Sequence, residues 1–288
     1  MYSPSPLVAS GQLLRIDPNP AACHCGLKRK SKGKSSLLIC LHRSYGSGVQ
    51  FRECRQRRTE YRLTMVSEDQ LAFLRSIDTP TVCNLIEIVA PARRGAGYTA
   101  SHLHCPFPDL PPMVGFAKTA TIRARDPVGG PSYMQKRLDY LDYVAAAPCP
   151  SIVVIEDKDE PPGYGAFWGE VQTNVHKALG CLGTVTNGSI RDLAAVAEGF
   201  QMLAGSIAPS HAYVRVVEFG ISVTIHSMDV RSGDLIHADR HGAVVVPEQS
   251  IGAMAAALDG LMKREARVIA AARMPGATAE SIKAAMKD

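Results

Sequence analysis

GEVQTNVHKALGCLGTVTNGSIRD, residues 169–192, holds the pattern around which the rest of the chain can be arranged. Its apolar residues Val171, Val175, Ala178 and Leu179 recur with the period of an amphipathic helix. Gly180 and Gly183 end that helix, Cys181 to Thr186 reads as a short buried strand, and Asn187-Gly188 is a turn signal before Ser189-Ile190-Arg191-Asp192. The helix would run about 15 Å at roughly 1.5 Å per residue. The strand would return about 20 Å at roughly 3.3 Å per residue. The two ends are therefore expected to meet, with Gly169 and Glu170 facing Arg191 and Asp192.

That meeting would have chemical consequences. A helix N-terminus offers unpaired N–H groups and the positive end of a dipole, so it can hold a carboxylate or phosphate. Arg191 could grip the same anion with a bidentate fork, and two nearby carboxylates could hold a hard divalent ion through oxygen and water. An anion grip beside a metal suits a 2-oxo acid. The plainer reading stands beside it. Asp192 precedes the run Leu193-Ala194-Ala195-Val196-Ala197 and could simply cap a helix there, while Glu170 in a first turn complements the dipole.

The pair Gly169-Glu170 followed, after twenty residues, by Arg191-Asp192, with Gly180, Gly183 and Asn187-Gly188 between them, resembles the RraA-like family. That family includes the class II 4-hydroxy-4-methyl-2-oxoglutarate aldolases. A second block, GDLIHADRHGAVVVP at residues 233–247, looks like the family's GD-x-x-x-AD-x-x-G-V-x-x-x-P segment. The resemblance implies an α/β protein with a compact β/β/α swivelling-domain-like fold, mixed sheets flanked by helices, assembled as trimers or hexamers with the pocket at a subunit interface. It also implies a metal-dependent carbon–carbon lyase that releases pyruvate from a 2-oxo acid by aldol cleavage or oxaloacetate decarboxylation. In that scheme Asp192 anchors Mg²⁺ or Mn²⁺ and Glu170 supports its water shell. Arg191, with Gly169, Glu170, Val171 and Gln172 at the helix start, holds the substrate carboxylate. This chain departs from the aldolases at Glu170, where they usually carry Asp, and at Ala195, where they tend to carry an acid. Other relatives are non-catalytic and inhibit an RNA-degrading endonuclease through protein contacts. Those tend to lack the full Arg-Asp pair that is intact here.

Charge divides the 288 residues unevenly. Residues 1–64 hold 12 Lys and Arg against 3 Asp and Glu, and residues 65–288 hold 20 against 24. The basic leader, with five Arg between Arg52 and Arg62 and little apolar periodicity, reads as disordered, as a presequence, or as an extension upstream of a natural start at Met65. Its Cys23-His24-Cys25 and Cys40 with His42 do not have the spacing of common zinc fingers. The slightly acidic remainder, residues 65–288, is expected to be a single domain that binds no nucleic acid. No apolar run reaches the eighteen residues of a membrane span. Singly placed thiols fit a reducing compartment, the cytoplasm, without disulfides.

Along that domain, Ser67 caps a first helix with Leu71, Leu74 and Ile77 inward, and Thr79-Pro80-Thr81 opens a second with Val82, Leu85, Ile86 and Val89 inward. Residues 133–147 read as a helix with Met134, Leu138, Leu141 and Val144 or Ala145 on its inner face, and its tyrosines as packing. Residues 151–155 are a central strand by their continuous β-branched run. A helix is expected from Asp192 to about Phe200, then strand pieces near 202–204, 212–219 and 221–225. Ser210, His211 and Glu218 could border the pocket. His102 and His104, and the group His237, Asp239 and His241, read as packing and hairpin residues. A long helix follows Pro247.

Overall fold

The computed structural model describes residues 66–127 and 131–287. The expectations for residues 1–64 lie outside this range. Helix α1 (Glu68–Arg75) opens with a capping box in which Ser67 and Gln70 bond each other's backbone, and α2 (Thr79–Val89) starts from the side chain of Asp78. Leu71, Leu74, Val82, Leu85 and Ile86 are buried, as their spacing predicts. Strand β1 (Met113–Arg123) follows, then α3 (Pro131–Ala145), β2 (Ser151–Asp157), α4 (Glu170–Ala178), β3 (Cys181–Ile190) and β4 (Gln201–Ile207). Five shorter strands complete the β structure: β5 (Arg215–Phe219), β6 (Val223–Ile225), β7 (Met228–Val230), β8 (Leu235–Asp239) and β9 (Gly242–Val246). Helices α5 (Ile251–Arg273) and α6 (Ala279–Lys287) end the described chain.

A mixed seven-stranded sheet runs β4-β3-β2-β1-β8-β9. β1 to β4 are parallel neighbours, and the free edge of β1 takes β8 at one end and β5 at the other, both antiparallel. β2 shows why this sheet is buried on both faces. Ile152 and Val154 join a core under the β6–β7 hairpin with Met113, Val185 and Leu203, while Val153 and Ile155 join the core on the other face with Tyr140, Val144, Trp168 and Phe200. Successive side chains of a strand point to opposite faces, so only an unbroken apolar run can satisfy both. A third cluster packs α1, α2 and α5 on β8 and β9.

The 233–247 block is the β8–β9 hairpin, and its His237 and Asp239 are bonded into the fold. His237 is buried, with Nε2 shared between the carbonyls of Leu74 and Ile77 at 3.0 and 3.1 Å and Nδ1 at 3.0 Å from Thr79 Oγ1. Asp239 accepts from the Thr79 and His241 amides. The hairpin thus ties α1 and α2 to the sheet. Cys83, Cys105, Cys149 and Cys181 are free thiols, and no described helix is long and apolar enough to cross a membrane.

Four local expectations are corrected. Asn187-Gly188 is a bulge inside β3, which continues to Ile190, because the Asn187 side chain bonds the backbone N–H and C=O of Asp157 on β2 and so replaces the interrupted ladder. The helix expected from Asp192 to about Phe200 does not form. Its φ of 55° turns the chain, and residues 193–200 form short turns closed by bonds such as Ala195 N to the Asp192 carbonyl at 2.8 Å. On α3 the buried residues are Tyr140 and Val144, while Met134 and Leu138 are 52% and 49% exposed. On α4 the buried residues are Thr173 and His176, and Val171 is 62% exposed. Counting only apolar side chains misplaced both faces, since a polar side chain goes inward when all its bonds are met.

Candidate functional site

Both ends of the 169–192 unit do meet. Trp168 pairs in parallel with Ile190, and the Arg191 amide donates to the Trp168 carbonyl at 2.9 Å. Gly169 caps α4, and a Cβ placed on it would lie 2.5 Å from Asp192 Oδ2 and 3.1 Å from Arg191 Cγ. Only glycine admits the Arg191-Asp192 pair this close to the helix start. There Asp192 Oδ2 accepts from the Glu170 amide at 3.4 Å and lies 3.6 Å from Arg191 Nε. Asp192 thus caps no helix after it, as residues 193–200 are turns, and instead accepts from the first amide of α4, the helix before it. The first α-helical bond from this end joins the Thr173 amide to the Gly169 carbonyl, which leaves the amides of Val171 and Gln172 as free donors.

Beneath the helix start lies a buried polar network. Thr173 Oγ1 donates to the Gly169 and Glu170 carbonyls and accepts from the Ala197 amide. His176 Nδ1 donates to the Gln172 carbonyl at 2.7 Å, and Nε2 accepts from the Tyr140 hydroxyl at 2.9 Å. Trp168 stacks edge-on to the imidazole with ring centroids 4.7 Å apart. Burial pushes His176 down to about 4, so the ring is neutral at pH 7 and serves as a strut for α4. A depressed histidine pKa makes the unfolded chain bind more protons between about 6.5 and about 4, so stability present above 6.5 is lost as pH falls through that window. The expected loss from His176 is about 3 kcal/mol. His237, also pushed down by burial, acts in the same direction. Urea unfolding of wild type and His176→Gln between pH 7 and 4.5 checks this: the wild-type slope should exceed the variant's by about one proton, and equal slopes would contradict it.

A cavity of about 280 Å³ opens against this helix start, bordered by Gly169, Val171, Gln172 and Arg191 together with Tyr133, Arg137, Tyr140, His211 and Arg215. Three arginines and no carboxylate border it, so its field favours an anion. Of the expected site residues, Gly169, Val171, Gln172 and Arg191 line the cavity. Glu170 and Asp192 stand at the same helix end, exposed to solvent and outside the lining. Sequence reading missed Arg137 and Arg215. Tyr133, Arg137, Tyr140 and Leu141 have the i, i+4, i+7, i+8 spacing of one helical stripe, which was the available signal for Arg137. Arg215 gave none.

Among the described residues no three His, Cys, Asp or Glu side chains gather as metal ligands. The donors at the helix start are hard carboxylate oxygens, with Asp192 Oδ1 and the Glu170 carboxylate bonded to no described residue. Such a set suits an ion that keeps most of its water shell, as Mg²⁺ does, and not zinc, which wants nitrogen or sulfur ligands.

Comparison with solved structures shows the same architecture elsewhere. An uncharacterized protein from Pseudomonas syringae pv. tomato str. DC3000 is 21% identical, with a TM-score of 0.58 over 76% of this chain and 94% of that one. Streptomyces coelicolor RraAS2, described as an unusual member of the RNase ES inhibitor RraA protein family, is 20% identical, with a TM-score of 0.53 over 69% of this chain and 93% of that one. No curated protein matches the sequence. The family model for RraA-like proteins, described as Aldolase/RraA, matches residues 79–245, a span that runs from α2 to β9 and contains the whole helix–strand unit with its Arg-Asp tip. With more than half of its length matched and the mixed seven-stranded sheet in place, this chain belongs to the RraA-like family.

Proposed function

We propose that this protein is a divalent-metal-dependent carbon–carbon lyase that releases pyruvate from a 2-oxo acid, by aldol cleavage of a 4-hydroxy-2-oxo acid, decarboxylation of oxaloacetate, or both. The observation that carries the reading is the acid-free, three-arginine cavity set against a helix N-terminus whose edge bears two exposed carboxylates. Arg191 and the amides of Val171 and Gln172 would hold the substrate carboxylate, and the apolar wall of Ala166, Phe167 and Val216 would limit water around the reacting carbons. Asp192 would hold Mg²⁺ or Mn²⁺, directly or through water, with Glu170 ordering that water. When bound, such an ion supplies Lewis-acid polarisation of the 2-oxo group. The exposed Val171 at the cavity, and the exposed Met134 and Leu138 on α3, fit a homo-oligomer, a trimer or hexamer, and the free thiols fit a cytoplasmic protein.

A pyruvate-release assay with oxaloacetate and 4-hydroxy-2-oxo acids, with and without Mg²⁺ or Mn²⁺, tests this reading. Wild type should turn over only with metal, and Asp192→Ala should fall about 100-fold or more with its unfolding transition unchanged. Absence of turnover in wild type, or an undiminished rate in the folded variant, would reject the lyase. The family's other known role, a non-catalytic regulator acting through protein contacts, is the reading that an inert wild type would favour.

A further inference from the structure

His211, in the loop between β4 and β5, borders the cavity that holds Arg191 and has no part in the scheme above. Its Nδ1 lies 2.6 Å from the Ala212 carbonyl oxygen. A carbonyl only accepts, so Nδ1 carries a proton, and in the neutral imidazole Nε2 is the acceptor. The loop is seated firmly. The Val214 amide donates to the His211 carbonyl at 2.9 Å, the Ala212 amide to Ser210 Oγ at 3.0 Å, and the Ala166 amide to the Ser210 carbonyl at 2.9 Å. A Cβ on Gly165 would come within 2.5 Å of the His211 carbonyl oxygen, so the loop lies flush on the segment that runs through Phe167 to Gly169. One short stretch of backbone therefore sets both the start of α4 and the imidazole.

The other polar side chains of the cavity cannot take a proton there. Arg137, Arg191 and Arg215 are cations with no acceptor, the Tyr140 hydroxyl is committed to His176, Tyr133 is a phenol, and Gln172 is neutral. Neither Glu170 nor Asp192 lines the cavity. We propose that His211 is the general base for aldol cleavage, an assignment that rests on the lyase reading. Nε2 takes the proton of the C4 hydroxyl, and the C4–O bond becomes a carbonyl as the C3–C4 bond breaks. The electron pair of that bond passes into the C2–C3 enolate of pyruvate. The imidazolium then returns the same proton to C3, leaving pyruvate, the carbonyl product and a neutral ring, with no net proton and no redox change.

Oxaloacetate separates this role from a structural one. It has no C4 hydroxyl to deprotonate, and its carbon–carbon cleavage starts from a carboxylate. His211→Gln should lower kcat for a 4-hydroxy-2-oxo acid about 100-fold with KM little changed, and should lower oxaloacetate decarboxylation far less, so that the ratio of the two rates drops at least about tenfold. Added imidazole should restore part of the cleavage in His211→Ala. Equal slowing of both substrates, or of neither, would overturn the assignment of His211 while the lyase stands. So would a wild type that decarboxylates oxaloacetate yet cleaves no 4-hydroxy-2-oxo acid. A wild type inert toward both removes the lyase reading and this one together.

Discussion

Gly169→Ala is expected to reduce pyruvate release about 100-fold while leaving the protein folded. The new Cβ would sit 2.5 Å from Asp192 Oδ2 and 3.1 Å from Arg191 Cγ, and both must give way. Asp192 and Arg191 are each about one third exposed at the side chain, so they can move into solvent with little loss of stability. The backbone of Gly169 has φ −169°, an extended conformation open to alanine. The damage therefore falls on the position of the two groups, and misplacement of a reacting centre by about 1 Å can cost about 100-fold in rate. Steady-state kinetics with a thermal melt checks this. A melting temperature lowered in proportion to the activity would mean that Gly169 matters for folding alone.

Arg191→Lys is the second large effect. Lysine keeps the charge but offers a point contact where arginine offers a planar fork, so about 10-fold to 100-fold of kcat/KM should be lost, and Arg191→Ala should lose at least as much. In the proposed role the contact would be made to the carboxylate in ground and transition states alike, so KM should rise for both variants. A lysine variant with wild-type KM and kcat would show that Arg191 does no more than pair with Asp192 across the 3.6 Å seen here.

How much of this was legible in the sequence depends on which force decided each feature. The meeting of Gly169 with Arg191 and Asp192 followed from one glycine-punctuated helix and one strand, both short and regular. Helices α1 and α2 followed from caps and apolar spacing, and the β8–β9 hairpin from its turn residues. The bulge at Asn187-Gly188 was read as a turn because its cause, the bonding of Asn187 to Asp157, joins residues thirty apart. The inner face of α4 was misread because Thr173 and His176 are buried through partners on other elements, Ala197 and Tyr140. The helix expected after Asp192 failed on one backbone angle, the φ of 55°, which aspartate tolerates. Helix α6 was not anticipated at all. The site divides in the same way. Its backbone frame is local and was read, and His211 was expected at the pocket's border, while Arg137 and Arg215 reach the cavity only through tertiary packing.

In the proposed scheme the start of α4 and the tip of β3 form one place for a divalent ion and a 2-oxo carboxylate. Titration of Mn²⁺ followed by electron paramagnetic resonance, with and without oxalate as a planar mimic of the pyruvate enolate, tests it most directly. Wild type should bind Mn²⁺, and bind it at least about tenfold more tightly with oxalate present, while Asp192→Ala should lose both. Mn²⁺ binding absent in wild type, or equally strong in Asp192→Ala, would contradict the account.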